Sequence, residues 1–239
     1  MQLDGPRRCS SHSAGPVVWC LHTAGMKRLS GLLCVLAVQA AATTHTPDLT
    51  ALGKGGAGWE VMPAEPFALA ADAQGAQKAV QSNPVALAYV AGLEMAEGSI
   101  EFDVRGRPGD QASFVGVAFH GIDGTTHDAV YFRTFNFGHA DPVKRRHAVQ
   151  YIAHPDWPWF RLRKERTDEF EKAVTPEPKP AEWFHARVTV GGGRVRAYVN
   201  GSAEPSLDVP KLNDRRTGKV GVWFSGYGDI ANLKITPKS

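Results

Sequence analysis

From about Val85 onward, apolar and polar residues alternate in short runs, and glycine, proline and aspartate separate the runs. Ser99-Ile100-Glu101-Phe102-Asp103-Val104-Arg105 is the clearest case. Ile100, Phe102 and Val104 fall on one face, and Glu101, Asp103 and Arg105 fall on the other. A period of two over this length predicts a half-buried strand. Further strands are predicted at Val85–Val90, Ser113–His120, Ala129–Phe135, Ala148–Ala153, Trp183–Val190, Arg194–Val199, Lys219–Phe224 and Ile230–Ile235. Gly191-Gly192-Gly193 reads as a tight hairpin turn, and Asn200-Gly201 as a second hairpin signal. Residues 155–180 are rich in proline and charge and read as a long surface excursion with one helical turn near Asp168–Lys172. The other helix-like stretch is Asp72–Val80. Many short strands with turn signals between them predict an all-β fold, a two-sheet antiparallel sandwich or a barrel.

The first 42 residues have a different pattern. Met26-Lys27-Arg28 is basic, Leu29 to Val38 is apolar and free of acids, and Gln39-Ala40-Ala41-Ala42 is small. That order matches a secretory signal starting at Met26, with an apolar core too short to span a membrane as a mature helix. Residues 1–42 are therefore expected to be an N-terminal extension plus signal peptide, and 43–239 one domain. The expected location is secreted or periplasmic, with no stable membrane span once the signal is cleaved.

Composition changes meaning once this leader is set apart. The whole chain carries a formal +3 and a pI near 8.8. The leader holds Arg7, Arg8, Lys27 and Arg28 but only one acid, Asp4. Removing them from 27 basic and 24 acidic residues leaves 23 of each. A neutral domain gives no argument for a nucleic-acid partner. Cys9, Cys20 and Cys34 also lie in the leader, so the domain has no disulfide or thiol chemistry to draw on. At about 197 residues it is long enough to rely on its core alone, and it is expected to be a monomer.

Candidate chemistry is concentrated between Ala129 and Phe160. Arg133, Asn136 and Gln150 stand among aromatics, and Asp156-Trp157-Pro158-Trp159-Phe160 follows. Aromatic faces stack on apolar sugar faces, while planar amides and guanidinium groups bond paired hydroxyls. Tyr131, Arg133, Asn136, Gln150, Trp157 and Trp159 are the expected ligand-binding set. Tyr131, Arg133 and Phe135 should share one strand face. Arg133 needs partners if buried, either an acid such as Glu101 or Asp103 or the ligand itself.

A group of segments resembles a known architecture. They are Gly98-Ser99-Ile100-Glu101-Phe102-Asp103, Ser113-Phe114-Val115-Gly116-Val117-Ala118-Phe119 and Trp183-Phe184-His185-Ala186-Arg187-Val188, followed by Ala197-Tyr198-Val199-Asn200-Gly201, Gly218-Lys219-Val220-Gly221-Val222-Trp223 and Ile230-Ala231-Asn232-Leu233-Lys234-Ile235. Over about residues 58–237 the chain resembles concanavalin A-like lectin/glucanase domains, and most of all the exported bacterial domains of 3-keto-disaccharide hydrolase type. The resemblance implies a two-sheet jelly roll with sugar across the concave sheet. Laminarinase-type relatives carry acids in a Glu-x-Asp-x-Glu pattern. Here Glu101 and Asp103 fit, but Arg105 stands at the third position.

Three functions remain open. The first is a carbohydrate-recognition domain. The second is a glycosidic-bond hydrolase in which Glu101 or Asp103, about 6.5–7 Å apart on one face, works with His120 or His185. The third is a structural or adhesive domain. No cofactor is expected and the histidines show no metal spacing. Asp123-Gly124 with Asp128 offers a calcium reading, which some relatives would support, but a plain turn is the better one.

Overall fold

The computed structural model describes residues 42–62, 79–81, 86–107 and 113–238, all within one compact unit that begins at Ala40. The leader and its three cysteines lie outside the described residues, as do residues 72–78 of the expected helix-like stretch. No described helix is long and apolar enough to cross a membrane.

Two antiparallel sheets face each other, as the alternation predicts. The larger runs β1 (Trp59–Met62), β3 (Ala86–Glu94), β12 (Lys219–Gly226), β5 (Ser113–Gly121), β6 (Asp128–Arg133), β7 (Val149–Ala153), β8 (Glu171–Lys172). The smaller runs β11 (Leu207–Pro210), β10 (Arg194–Val199), β9 (Phe184–Gly191), β4 (Gly98–Arg105), β13 (Asp229–Pro237), β2 (Ala79–Gln81). The inward residues of both meet in one core. Ile100, Phe102 and Val104 of β4 join Val115, Val117 and Phe119 of β5 and Val130 and Phe132 of β6 there. Phe132 packs edge-on to Phe184 at 5.2 Å and lies 6.4 Å from Phe102. The turn joining β9 to β10 is Gly192-Gly193, with φ of 60° and 71°, a left-handed pair that only a hairpin of this kind requires.

Four local expectations need correction. Strand β6 stops at Arg133, because Thr134–Asn136 turn into a 3-10 helix whose Thr134 carbonyl accepts from Phe137 N. A short helix, α1 (Pro142–Arg146), was not anticipated. Asp141 caps it by accepting from Val143 N, and Pro142 opens it. The Pro155–Pro180 excursion contains a second helix, α2 (Trp159–Glu165), so Trp159 opens a helix rather than standing on an irregular surface loop. Where a helical turn is expected near Asp168–Lys172, Asp168 and Glu169 lie in a turn and Glu171–Lys172 form the edge strand β8, paired with β7. Of α2, only Leu162 is buried, so seven residues gave no periodic signal.

One glycine shapes the outer face of the larger sheet. Gly116 of β5 lies between Trp223 of β12 and Tyr131 of β6 in register. A Cβ there would come 2.0 Å from the Val130 carbonyl oxygen. Without it, the two flanking rings meet over the gap and stack at 4.7 Å and 26°.

Phe102 is fully buried between the sheets. Replacing it with Ala is expected to cost about 3–5 kcal/mol in denaturant unfolding; a near-neutral result would overturn the facing of β4.

Candidate functional site

The row across the larger sheet continues beyond the stacked rings: Trp223, Gly116, Tyr131, Gln150, Glu171. The next row carries Ser225, Phe114 and Arg133. Alternation turns Val130 and Phe132 into the core, so Tyr131 and Arg133 point out. Together with α2 and the 3-10 turn they enclose a cavity of about 500 Å³. Its apolar wall is Phe114, Tyr131, Phe135, Ile152, Trp159 and Trp223. Its polar wall is Arg133, Asn136, Lys144, His147, His154, Arg163 and Ser225.

Arg133 is 5 % exposed, and each end of its guanidinium is accounted for. Nη1 donates to Glu171 Oε2 at 3.0 Å and to the His147 carbonyl at 3.1 Å. Nη2 donates to the Tyr131 hydroxyl at 2.9 Å and to Gln150 Oε1. The Tyr131 hydroxyl in turn donates to Gln150 Oε1 at 2.7 Å. The guanidinium also lies 5.1 Å from the Tyr131 ring centroid. Burial pushes the Tyr131 phenol up to about 12, so it stays a donor. The acid that balances Arg133 is thus Glu171, not Glu101 or Asp103. A second cation meets the same acid: Arg163 of α2 donates from Nε to Oε1 at 3.1 Å and from Nη2 to Oε2 at 2.8 Å. That hydrogen bond holds the Arg163 guanidinium above its usual range.

The residues expected to bind ligand fall into two groups. Tyr131, Arg133, Asn136 and Trp159 line the cavity. Asn136 is held there by donating to the His147 carbonyl at 2.9 Å. Gln150 is fully buried and acts on the cavity through Tyr131 and Arg133. Trp157 packs partly against the core under the guanidinium of Arg161, 4.4 Å from its ring, and does not line the cavity. Phe114, Trp223, Lys144, His147 and Arg163 also line the cavity and were not among the expected residues. Alternation outward from Gly116 identifies Phe114, and the same count on β12 identifies Trp223; nothing local marks Arg163.

The four residues proposed for proton transfer do not enter the cavity. Glu101, Asp103 and His185 lie on the outer face of the smaller sheet, in adjacent strands β4 and β9. His185 Nδ1 donates to Asp103 Oδ1 at 2.9 Å, and its Nε2 lies 3.7 Å from Glu101. Asn232 also donates to Asp103. The Asp103 hydrogen bond, followed by the nearby carboxylate charges, raises the His185 pKa above 6.5 against the effect of burial. His120 sits elsewhere again, at one wall of a second cavity of about 570 Å³ between the ends of the sheets. Its Nε2 donates to the Ala96 carbonyl at 2.8 Å, and Nδ1 lies 3.3 Å from the buried Asp128.

The calcium reading finds its two acids engaged. Asp123 Oδ1 accepts from Thr125 N and Thr126 N, both at 2.8 Å, and Asp128 Oδ1 accepts from Asn213 and Arg215 at 2.6 Å. His147, Asp168 and Glu171 bring ligand-type atoms within 4.8 Å of one another. A cation there would have to displace the two guanidinium groups that already hold Glu171.

No protein-family model and no curated protein matches the chain. Solved structures with a similar course of the chain include the carbohydrate-binding module CBM66 from Bacillus subtilis. It is 12% identical, with a TM-score of 0.49 over 74% of this chain and 94% of that one. Another is the exoplasmic/lumenal domain of VIP36 bound to Ca2+ and Man3GlcNAc, 8% identical, with a TM-score of 0.49 over 76% and 85%. A putative glycosyl hydrolase from Parabacteroides distasonis is 15% identical, with a TM-score of 0.46 over 82% and 98%. Likenesses this distant carry no statement about ligand or reaction.

Two measurements check this geometry. Glu171→Gln leaves Arg133 buried without its full counter-charge and should cost about 3–5 kcal/mol; an unchanged unfolding midpoint would remove Glu171 from its supporting role. In an NMR titration, His185 should titrate above 6.5 and fall back in Asp103→Asn. Because the folded value is raised, the stability gained from this pair is full at acidic pH and is lost as pH rises through that value.

Proposed function

We propose that this chain is an exported saccharide-binding domain whose ligand lies on the outer face of the seven-stranded sheet. The observation that carries the reading is a cavity walled by Trp223, which packs on the buried Tyr131 over Gly116, with Trp159 across it and the planar polar groups of Asn136 and Arg163 in its wall. Rings of this kind cover the apolar faces of a pyranose, and fixed planar donors set its orientation. Among the described residues no carboxylate lines the cavity, so they do not supply there the acid pair that hydrolysis of a glycosidic bond uses. This favours recognition over cleavage at this place. Export rests on the leader pattern that begins at Met26.

A second reading, hydrolysis of the 3-keto-disaccharide type, is favoured by a different observation. Asp103, His185 and Glu101 form a carboxylate–imidazole group on the outer face of the smaller sheet. Turnover there would use the imidazole and an acid for proton transfer.

Ligand-observed NMR with an oligosaccharide panel that includes 3-keto-disaccharides separates the two. Saturation transfer without product is expected. Trp159 is 47 % exposed at the start of α2, so Trp159→Ala should weaken binding by at least about tenfold with little change in the unfolding midpoint. Asp103→Asn should leave binding unchanged. Product resonances that vanish in Asp103→Asn would establish the hydrolase instead, and unchanged binding by Trp159→Ala would take the site out of this cavity.

A further inference from the structure

We infer that the saccharide held in this cavity carries an anionic substituent, a carboxylate or a sulfate, and that Arg163 is the residue that meets it. The inference rests on the saccharide-binding reading above and narrows its ligand class.

The charge balance of the cavity is one-sided. The guanidinium groups of Arg133 and Arg163 line it, and among the described residues no acid does. The nearest carboxylate, Glu171, is 2 % exposed and lies beneath the wall, with both oxygens committed to guanidinium groups. One guanidinium would balance one carboxylate. Two leave a net positive charge beside low-dielectric aromatic walls, where a field is focused rather than dissipated. The next acid, Asp168, is engaged by His147 Nε2 at 3.1 Å and lies 3.5 Å from Arg146.

The two arginines differ in what they have left to give. Arg133 is buried, and both its terminal nitrogens are occupied. Arg163 is more open, with a side chain 36 % exposed. Its Nε and Nη2 hold Glu171, while Nη1 makes no hydrogen bond among the described residues. The group is fixed at one edge by Glu171, lies 5.2 Å from the Trp159 ring centroid, and belongs to a residue that lines the cavity. A guanidinium so oriented, beside an aromatic face, gives charge-assisted bonds to a planar anion at little ordering cost. A neutral hydroxyl pair would draw on its geometry but not on its charge.

Calorimetry on the full chain with three matched oligosaccharides tests this: one neutral, one with a uronate in place of a neutral sugar, and one sulfated. At least one anionic member should bind at least about tenfold tighter than the neutral one, and the gap should narrow as salt is raised. Which anionic member gains tells carboxylate from sulfate. Arg163→Gln should erase the gap by weakening the anionic member far more than the neutral one, and Arg163→Lys should keep part of it. An unfolding curve checks each variant, and the salt dependence of the unaltered chain decides the matter if Arg163→Gln does not fold. Neutral binding as tight as anionic binding would overturn this inference and leave the saccharide reading standing. Binding of none of the three would overturn the saccharide reading itself.

Discussion

A carboxylate taken out of water has to be met by charge, and Glu171 shows how much structure that requirement can organise. It stands on β8, a strand of two residues whose backbone pairs only with β7. It is met from β6 by Arg133 and from α2 by Arg163. These contacts join three elements that are otherwise only loosely tied: the last full strands of the larger sheet, the edge strand and the helix that walls the cavity. Breaking such a buried pair from one side leaves the other charge stranded, which costs more than the pair itself contributes. Alternation points Arg133 outward, and that carboxylate sets what Nη1 of Arg133 and one edge of the Arg163 guanidinium meet there.

The aromatic floor depends on a steric constraint of a different kind. Tyr131 and Trp223 are two strands apart and meet only because the residue between them has no side chain. The stack fixes the Tyr131 ring, its hydroxyl then reaches Gln150, and the amide is bonded in turn by Arg133. Packing and polar satisfaction thus run along one row of the sheet, ending at Glu171.

The sandwich separates two kinds of chemistry. The larger sheet presents aromatic rings and cations on its outer face. The smaller sheet presents an imidazole between carboxylates on its own. The core of Phe102, Phe132 and their neighbours lies between them, so a ligand on one face is out of reach of the acids on the other. A reaction that needed Arg133 and Asp103 together cannot be built on this fold.

Much of this was legible in the chain. Period-two alternation set the strands, and with them which residues of β4, β5 and β6 face the core, because a strand has only two faces. Hairpins at Gly192-Gly193 and Asn200-Gly201 followed from residues that tolerate a left-handed backbone. The cluster of Tyr131, Arg133, Asn136 and Trp159 was visible as aromatic and planar polar residues close in sequence. What pairs across the fold was not visible. Glu171 lies 38 residues from Arg133 in a stretch with no periodic signal, so the local pattern pointed Arg133 to the wrong acids. Trp157 and Trp159 looked equivalent, yet the start of α2 turns one to the cavity while the other packs on the core. Alternation tells which side of a strand a residue takes. Which sheet that strand joins, and which distant charge it meets, is decided only when the sheets close.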